Sequence, residues 1–284
     1  MTIREAWLHG REHLLASGVE AAGIEAEVLL RHALALSRTD LYLAWERPVP
    51  SEAWARYRGL LEERARGRPV AYLTGHREFM GLDLQVDERV LIPRPETEIL
   101  VELLLHVLRD VPAPRVIDVG TGSGAIAIAV ATYLPESTVL ATDLSPDALA
   151  VAEDNAVRHG VAARITFAAG DLLAPARTRG WVEVDAVASN PPYVDPAAAA
   201  ALPREIREYE PALAVVAGAG GTSVHARLVD EAPALLRPGG WLALEVGAGQ
   251  APAVVELFER SNAYRQMRVL DDLAGIPRIV AGMR

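Results

Sequence analysis

The chain has 284 residues but no cysteine and no lysine, and these absences exclude several kinds of chemistry. Without cysteine there is no disulfide, no thiolate metal site and no cysteine nucleophile. Without lysine there is no Schiff base and no phosphate-binding lysine of the P-loop type. All 28 basic residues are arginines, which indicates a biased genome rather than a particular function.

Long apolar runs are also absent from the beginning of the chain, where Arg4 and Glu5 occur. We therefore expect neither a signal peptide nor a membrane span. Together with the lack of cysteine, this pattern favours a cytoplasmic protein. The apolar content of 51% argues against disorder, and the length suffices for a large core in one or two domains.

The charge is unevenly distributed, with a formal net charge of −10. Residues 1–75 contain equal numbers of basic and acidic residues, so the whole acidic excess lies in residues 76–284. Proteins that bind polynucleotide phosphates usually present a basic surface. A broad nucleic-acid cradle on the second part of the chain is therefore disfavoured, although a local arginine patch is compatible with the sequence.

Residues 1–74 carry apolar side chains at helical spacing and predict a small bundle of helices. Thr2 and Glu5 have the spacing of a capping box, and Ser51 is predicted to cap a later helix. His9 and His13 stand four residues apart, but no third ligand accompanies them. We therefore expect no metal site.

The next segment, residues 75–94, predicts a β-hairpin connector. Phe79–Val86 alternates apolar and polar residues like a strand, Asp87-Glu88 suits a turn, and Val90 begins a second strand.

From residue 95 onward, short apolar strands alternate with helices, which predicts an α/β domain over residues 95–284. The predicted strands are Arg115–Val119, Thr138–Asp143, Ile165–Ala169, Val184–Ser189 and Trp241–Val246, with two more near Gln266–Leu270 and Arg278–Ala281. A helix is predicted from Thr222 to Leu236. Such alternation indicates a Rossmann-like, mostly parallel seven-stranded sheet with helices on both faces. Ligands of such sheets bind beyond the carboxyl ends of the strands.

A glycine-rich segment, Gly120-Thr121-Gly122-Ser123-Gly124, follows the first of these strands. Such a loop lets a ligand approach the backbone closely and leads into a helix N-terminus. Asp143 lies 19 residues beyond Gly124, which is the usual place of an acid that binds ribose hydroxyls. The glycines are spaced two and two rather than as Gly-x-Gly-x-x-Gly. With Asp118 before it, the segment resembles the loop of S-adenosylmethionine-dependent methyltransferases.

The segment Asn190-Pro191-Pro192-Tyr193 follows another predicted strand. Two prolines in series fix two φ angles and remove two backbone donors, which leaves a stiff turn with free carbonyl groups. Asn190 adds a side-chain carbonyl and Tyr193 a flat ring, so the loop suits the binding of a planar –NH2 group. Alone, the motif is equally compatible with an ordinary proline turn. The glycine loop upstream favours the functional interpretation.

Several motifs together resemble the HemK-type protein-glutamine methyltransferases. They are Phe79–Leu82, Leu91–Glu98, Asp118–Gly124, Asp143–Ser145, Ser189–Tyr193, Glu245–Gly247 with Gln250, and Asp272 with Gly275 and Arg278. The similarity covers the chain from about residue 70 to its end. Leu84 and Gly220-Gly221-Thr222 depart from the family, which often has Phe and Asp-Gly-Leu there.

The resemblance implies a class I methyltransferase fold and S-adenosyl-L-methionine as methyl donor, with S-adenosyl-L-homocysteine as product. It implies methylation of the glutamine amide nitrogen in the Gly-Gly-Gln loop of class 1 peptide chain release factors, which the N-terminal bundle helps to bind. We expect a monomer with no direct nucleic-acid binding, no membrane association and no metal.

On this basis the expected cofactor-binding residues are Gly120, Thr121, Gly122, Ser123, Gly124, Asp143, Leu144, Asp171, Leu172 and Asn190. The expected catalytic residues are Asn190, Pro191, Pro192 and Tyr193. Arg94, Glu96 and Thr97 either line the substrate entrance or simply begin a helix with favourable charges. Glu245 ends a predicted strand, and the sequence assigns no role to it.

Two other functions are compatible with the motifs. The chain could be an N6-adenine or N2-guanine methyltransferase acting on DNA or RNA, since the same Asn-Pro-Pro-Tyr loop can hold a base amine. The net charge and the Leu91–Glu98 segment argue against this alternative. A non-catalytic module that senses the cofactor would not need Asn190.

Overall fold

The computed structural model describes all 284 residues, Met1–Arg284. The chain divides into two compact units. The first comprises Met1–His76 with Pro203–Tyr209, and the second comprises Arg77–Leu202 with Glu210–Arg284. No helix combines the length and the apolar composition that crossing a membrane requires.

The α-helices are α1 Ile3–Ala16, α2 Ala22–Leu34, α3 Arg38–Leu43, α4 Ser51–Ala65, α5 Val70–Thr74, α6 Pro95–Leu108, α7 Ala125–Tyr133, α8 Pro146–Arg158, α9 Ala174–Thr178, α10 Arg204–Tyr209, α11 Ala212–Val215, α12 Ser223–Glu231 and α13 Ala251–Ser261. The strands are β1 His76–Phe79, β2 Leu82–Gln85, β3 Arg115–Val119, β4 Thr138–Asp143, β5 Ile165–Ala169, β6 Val184–Ser189, β7 Leu236–Glu245, β8 Arg265–Asp271 and β9 Pro277–Met283. Short 3-10 helices lie at Ala162–Arg164, Ala199–Ala201 and Ala232–Ala234.

The first unit is helical, as its periodicity predicts. The capping box at Thr2 and Glu5 is confirmed. The prediction that Ser51 caps α4 is wrong, because Pro50 occupies the cap position with an extended backbone and its carbonyl accepts the Trp54 N–H at 2.9 Å. Ser51 is therefore the first helical residue.

The hairpin is formed by β1 and β2, and its turn lies at Met80 and Gly81, which have φ values of 53° and 74°. A turn does begin at Asp87-Glu88, as predicted, but no strand follows it at Val90. The prediction that this turn joins the two strands of the hairpin is therefore wrong. A two-residue turn with positive φ at both positions matches the natural twist of paired strands. Val90 instead closes a turn by donating its N–H to the carbonyl of Asp87 at 3.1 Å.

The second unit contains the seven-stranded sheet, which confirms the predicted fold class. Its strand order is β5-β4-β3-β6-β7-β9-β8. The first five strands are parallel, and β9 runs antiparallel to both β7 and β8. Strand β7 begins at Leu236 rather than at Trp241, because Leu236 pairs with Val184 ahead of a register shift. Helix α12 ends at Glu231, where the 3-10 helix containing Pro233 takes over.

Helices cover both faces of the sheet. Because successive residues of a strand point to opposite sides, each strand packs its apolar side chains against helices on both faces. Val116 of β3 belongs to the apolar cluster that includes Leu104 of α6 and Ile128 of α7. The next residue, Ile117, belongs to the cluster on the other side with Leu228 of α12. The buried sheet thus leaves the ends of its strands as the place for polar chemistry.

Asn155 of α8 connects the hairpin to the glycine-rich loop inside the second unit. It is fully buried. Its Oδ1 accepts the Gln85 N–H at 2.8 Å, and its Nδ2 donates to the carbonyls of Gln85 and Ser123, each at 2.9 Å. One amide therefore satisfies three backbone groups from two distant segments.

We expect Asn155→Ala to lower the free energy of unfolding by about 1–3 kcal/mol, because it leaves buried backbone groups without partners. The matched control is Asp154→Ala, which changes the exposed neighbour on the same helix and is expected to stay within about 0.5 kcal/mol. Urea denaturation measures both. Equal stability of the two variants would show that the amide does not connect these segments.

Candidate functional site

The glycine-rich loop joins β3 to α7, and its backbone conformation depends on glycine. Gly120 and Gly122 have φ values of 71° and 55°, which favour glycine. A Cβ atom on either residue would meet no atom within 4 Å. The N–H groups of Gly120 and Thr121 donate to the carbonyl of Thr142 at 2.8 and 3.0 Å. The loop is thus attached to β4 while its other side stays open for a ligand.

A buried carboxylate beneath the loop fixes this shape. Asp118 Oδ2 accepts the Thr121 hydroxyl at 2.6 Å and a backbone N–H of the first turn of α7 at 3.1 Å, whereas Oδ1 has no hydrogen-bond partner. Burial raises the pKa of Asp118 to about 7, and the two hydrogen bonds oppose this shift. The carboxylate therefore supports the loop from below.

A cavity of about 620 Å³ lies beyond the carboxyl ends of the parallel strands, within the size range of small-molecule sites. It brings together many of the residues expected from the sequence: Gly120, Gly122, Asp143, Leu144, Asp171, Leu172, Asn190 and Pro192. The lining does not include Thr121, Ser123, Gly124, Pro191 or Tyr193. The side chains of Thr121 and Ser123 are buried under the loop, and a Cβ on Gly124 would lie 2.8 Å from Ile128.

Asp143 ends β4 at the cavity and organises the backbone around it. Its Oδ2 accepts the Gly122 N–H at 2.9 Å, and its Oδ1 accepts the Ser145 N–H at 2.9 Å. Each carboxylate oxygen has a second lone pair. Asp143 can therefore hold the glycine loop and still accept hydrogen bonds from a ligand.

Asp171 lies after β5 and is paired with a residue that sequence patterns did not reveal. Arg227 of α12 donates two hydrogen bonds to its carboxylate, at 3.1 and 2.6 Å. These bonds lower the pKa of Asp171. Because 56 residues separate the pair, no local sequence signal connects them.

Two further segments line the cavity, residues 88–91 and the segment of residues 211–214 and 216–218, which includes most of α11. Apart from Leu91, which begins the Leu91–Glu98 motif, no sequence pattern marked them. The second is attached to the residue that follows the Asn-Pro-Pro-Tyr motif. The N–H of Val194 donates to the Val215 carbonyl at 3.1 Å, and the N–H of Ala217 donates to the Val194 carbonyl at 2.9 Å. Part of the cavity wall is therefore coupled to the loop that carries Asn190.

The Asn-Pro-Pro-Tyr loop is held from behind by Gln250. The Gln250 Nε2 donates to the Tyr193 carbonyl at 2.8 Å, and its Oε1 accepts the Gly247 N–H at 3.0 Å. Gly221 packs so closely against the loop that a Cβ there would lie 2.4 Å from the backbone carbonyl oxygen of Tyr193. Burial, and secondarily Glu245, raise the pKa of Tyr193 to about 12, so its hydroxyl is neutral. These contacts make the loop a rigid element.

Asn190 itself is held by a side chain from α6. Its Nδ2 donates to Thr97 Oγ1 at 3.1 Å, and the Thr97 hydroxyl donates to Glu245 Oε2 at 2.6 Å. Glu245, the strand-end acid to which the sequence assigns no role, is only 2% exposed. Thr97 lies in the first turn of α6, where the sequence predicts the start of a helix, and it also contacts the Asn190 amide.

Charged residues surround this group. Arg94 donates to both carboxylate oxygens of the buried Glu210, at 2.6 and 2.7 Å. Burial raises the pKa of Glu245 to about 7; Glu96 adds to the shift, whereas the Thr97 hydrogen bond and the nearby arginines Arg278 and Arg94 oppose it. Glu245 therefore changes its charge near neutral pH.

The raised pKa of Glu245 predicts a pH-dependent cost to stability. The folded chain holds this proton up to about pH 7, whereas an ordinary glutamate releases it near 4.5. The folded state therefore binds more protons in between, and the contribution of this group to stability falls as pH rises. We expect Glu245→Gln to lose less unfolding free energy between about pH 5 and 8 than the wild type, as measured by urea denaturation. Exposed Glu259→Gln is the control; an identical pH slope in wild type and Glu245→Gln would contradict the assignment.

Two family models match the chain. One is described as the PrmC N-terminal domain and matches residues 5–75. The other is described as a methyltransferase small domain and matches residues 96–208. The second match includes the glycine loop, Asp143, Asp171 and Asn190.

Solved structures share the fold at low sequence identity. The catalytic domain of hMettl16 bound to MAT2A 3′UTR hairpin 6 aligns with a TM-score of 0.58 and 18% identity, over 78% of this chain and 81% of that one. A methyltransferase from Pyrococcus furiosus aligns with a TM-score of 0.50 and 18% identity, over 72% of this chain and 89% of that one. The sheet and its helices thus form a class I methyltransferase fold.

Curated relatives match at much higher identity and over nearly their whole length. The release factor glutamine methyltransferase of Moorella thermoacetica is 45% identical over 100% of this chain and 99% of its own. That of Geobacter sulfurreducens is 43% identical over 99% of this chain and 96% of its own, and that of Deinococcus radiodurans is 39% identical over 100% and 99%. On this similarity, the chain belongs to the release factor glutamine methyltransferase family of enzymes.

Proposed function

We propose that this enzyme transfers a methyl group from S-adenosyl-L-methionine to the side-chain amide nitrogen of the glutamine in the Gly-Gly-Gln loop of class 1 peptide chain release factors. The observation that carries the proposal is the Asn190 amide. It lines the cavity, and its –NH2 group already donates a hydrogen bond to Thr97. The Asn190 oxygen is therefore free to accept an N–H from a substrate carboxamide.

The cavity fits the methyl donor in size and in chemistry. Its volume of about 620 Å³ suits a nucleoside joined to an amino acid. Gly120 and Gly122 leave open the space that side chains would fill, and Asp143 offers acceptors for hydroxyl groups. We assign the loop of residues 120–124 to the methionine and ribose parts, and Asp143, followed by Leu144, to the ribose.

Asp171 and Leu172 are assigned to the adenine ring. Both Asp171 oxygens accept N–H groups of Arg227, and each oxygen keeps a second lone pair for the exocyclic amine. The apolar Leu172 side chain packs beside the ring. Arg227 holds the carboxylate in place for this contact.

The Asn-Pro-Pro-Tyr loop supplies acceptors that orient the substrate amide. An amide nitrogen is a poor nucleophile because its lone pair is shared with the carbonyl, whereas S-adenosyl-L-methionine supplies a reactive methyl group on positively charged sulfur. The Asn190 oxygen and the Pro191 carbonyl each accept one N–H of the glutamine. Such orientation can contribute about 7–11 kcal/mol to catalysis.

The same acceptors stabilise the positive charge that develops on the nitrogen. Tyr193 packs against the flat amide, and Pro192 keeps the loop rigid. The methylated amide nitrogen releases one proton to solvent, and the donor leaves as S-adenosyl-L-homocysteine, so the reaction needs no strong general base and no metal.

The proposal extends to partners and location. Residues 1–74 are assigned to recognition of the release factor, 75–94 to the connector and 95–284 to catalysis. We propose a cytoplasmic monomer that does not bind nucleic acid directly. The net charge of −10 supports a protein substrate over a polynucleotide.

Mass spectrometry tests the proposal directly. The protein is incubated with isotope-labelled methyl donor and a purified class 1 release factor, and we expect one added methyl group on the glutamine of the Gly-Gly-Gln loop. A release factor with that glutamine changed to alanine is the matched control and is expected to stay unlabelled. Parallel reactions contain DNA or RNA; label on a nucleobase, with none on the release factor, would overturn the proposal.

Asp143→Ala tests the cofactor assignment. Loss of hydrogen bonds to a charged acceptor is expected to raise the Kd for S-adenosyl-L-methionine about tenfold or more. Isothermal calorimetry measures the affinity, with the exposed Asp110→Ala as a charge-matched control. An unaltered Kd in Asp143→Ala would remove this residue from the binding site.

A further inference from the structure

Three polar side chains from different elements form one hydrogen-bond chain in the second unit. Thr97 lies in the first turn of α6, Asn190 follows β6, and Glu245 ends β7. Thr97 and Glu245 are 4% and 2% exposed. The chain runs from Asn190 Nδ2 to Thr97 Oγ1 over 3.1 Å and from there to Glu245 Oε2 over 2.6 Å. Water is therefore largely excluded from the two inner members.

The direction of these two hydrogen bonds follows from the number of protons that each group can donate. An ionised carboxylate only accepts hydrogen bonds, and a hydroxyl has a single proton to donate. The Thr97 hydroxyl donates its single proton to Glu245, so it can only accept a hydrogen bond from Asn190. The amide must then place its –NH2 group toward Thr97, because its oxygen there would face another acceptor.

The opposite orientation would be costly. A flipped Asn190 would bring its oxygen to the position from which Nδ2 now donates, 3.1 Å from Thr97 Oγ1. Two acceptors in contact in a buried place lose a hydrogen bond and gain none. The flipped amide would also present donors, rather than an acceptor, to the substrate.

We propose that Thr97 and Glu245 are positioning residues, which hold the Asn190 amide with its oxygen toward the substrate carboxamide. The inference rests on the proposed function, because it explains how the acceptor in that reaction is oriented. Neither residue needs to touch the substrate. Their effect is to remove the alternative orientation of one side chain before the substrate arrives.

Glu245 makes the arrangement sensitive to pH. The charged and titratable groups around it are Arg94 just before α6, Glu96 in its first turn, Arg278 on β9, Tyr193 after β6, and His225, whose Nε2 lies 2.8 Å from the Glu245 carbonyl oxygen. A protonated Glu245 can donate to Thr97, which frees the Thr97 proton to point at Asn190. The preference for one amide orientation is then lost.

Substitutions at Thr97 separate positioning from mere packing. Thr97→Val keeps the shape of the side chain but removes the hydroxyl, whereas Thr97→Ser keeps the hydroxyl. We expect Thr97→Val to lower kcat about tenfold, with the KM for the release factor and the Kd for the methyl donor within about twofold of wild type. Thr97→Ser is expected to retain most of the activity. Equal kcat values for the valine and serine variants would overturn the proposal.

A double-variant comparison shows whether Thr97 acts through Asn190. Asn190→Ala alone is expected to lower kcat at least tenfold, and adding Thr97→Val to it is expected to cause no further loss. Losses that multiply in the double variant would mean that Thr97 acts independently of Asn190, which contradicts a positioning role.

Glu245→Gln provides a second test that does not depend on the folding of the Thr97 variants. In the wild type kcat is expected to fall as pH decreases through about 7, because protonation of Glu245 releases the Asn190 amide. Glu245→Gln has no such proton and is expected to lose this inflection. An inflection that persists unchanged in Glu245→Gln would refute the role of Glu245.

Failure of the positioning role can be distinguished from failure of the proposed function. If the wild type transfers no methyl group to the release factor, the proposed function fails. The Asn190 side-chain amide protons still report its orientation by nuclear magnetic resonance. Slow exchange with solvent in the wild type and faster exchange in Thr97→Val support the positioning role, and equal exchange rates overturn it.

Discussion

In-register parallel pairing of β3 with its two neighbours is the constraint on which the site depends. Val119 at the end of β3 pairs with Thr142 of β4 on one side and with Ser189 of β6 on the other. The residues that follow these three are Gly120, Asp143 and Asn190. A single register therefore brings the glycine loop, the strand-end acid Asp143 and the Asn-Pro-Pro-Tyr loop to the same edge of the sheet. A slip by one residue would turn the side chains of a strand to the opposite face and disperse the group.

This placement does not by itself orient the groups, and the structure supplies separate supports for each. Asp118 holds the glycine loop, Gln250 holds the Asn-Pro-Pro-Tyr loop, and Thr97 with Glu245 holds the Asn190 amide. Two of these supports are buried carboxylates whose pKa values burial raises to about 7. Such groups reduce stability at neutral pH. Their presence at the rim fits a site that gives up some stability to fix polar groups in one arrangement.

The sequence was sufficient to predict the sheet and most of its rim. The bounds of β3 to β6 follow from short, mainly apolar runs that a glycine or a polar residue terminates, and these are local signals. The hairpin turn was misplaced because Met80-Gly81 and Asp87-Glu88 both suit turns, and only strand pairing decides between them. The role of Glu245 could not be predicted, since its partner Thr97 is 148 residues away. The pairing of Asp171 with Arg227 was hidden for the same reason. Contacts between distant segments can be identified only from the folded structure and not from a local sequence pattern.

Neutron diffraction measures the orientation of the Asn190 amide most directly, because it shows where hydrogen atoms are. The experiment uses deuterated crystals of the protein grown with S-adenosyl-L-homocysteine and a Gly-Gly-Gln peptide, at a pH above the pKa of Glu245. We predict deuterium on the Asn190 nitrogen that faces Thr97, deuterium between Thr97 and Glu245, and the Asn190 oxygen within hydrogen-bond distance of the glutamine nitrogen. An amide turned the other way, with its oxygen against Thr97, would contradict the account.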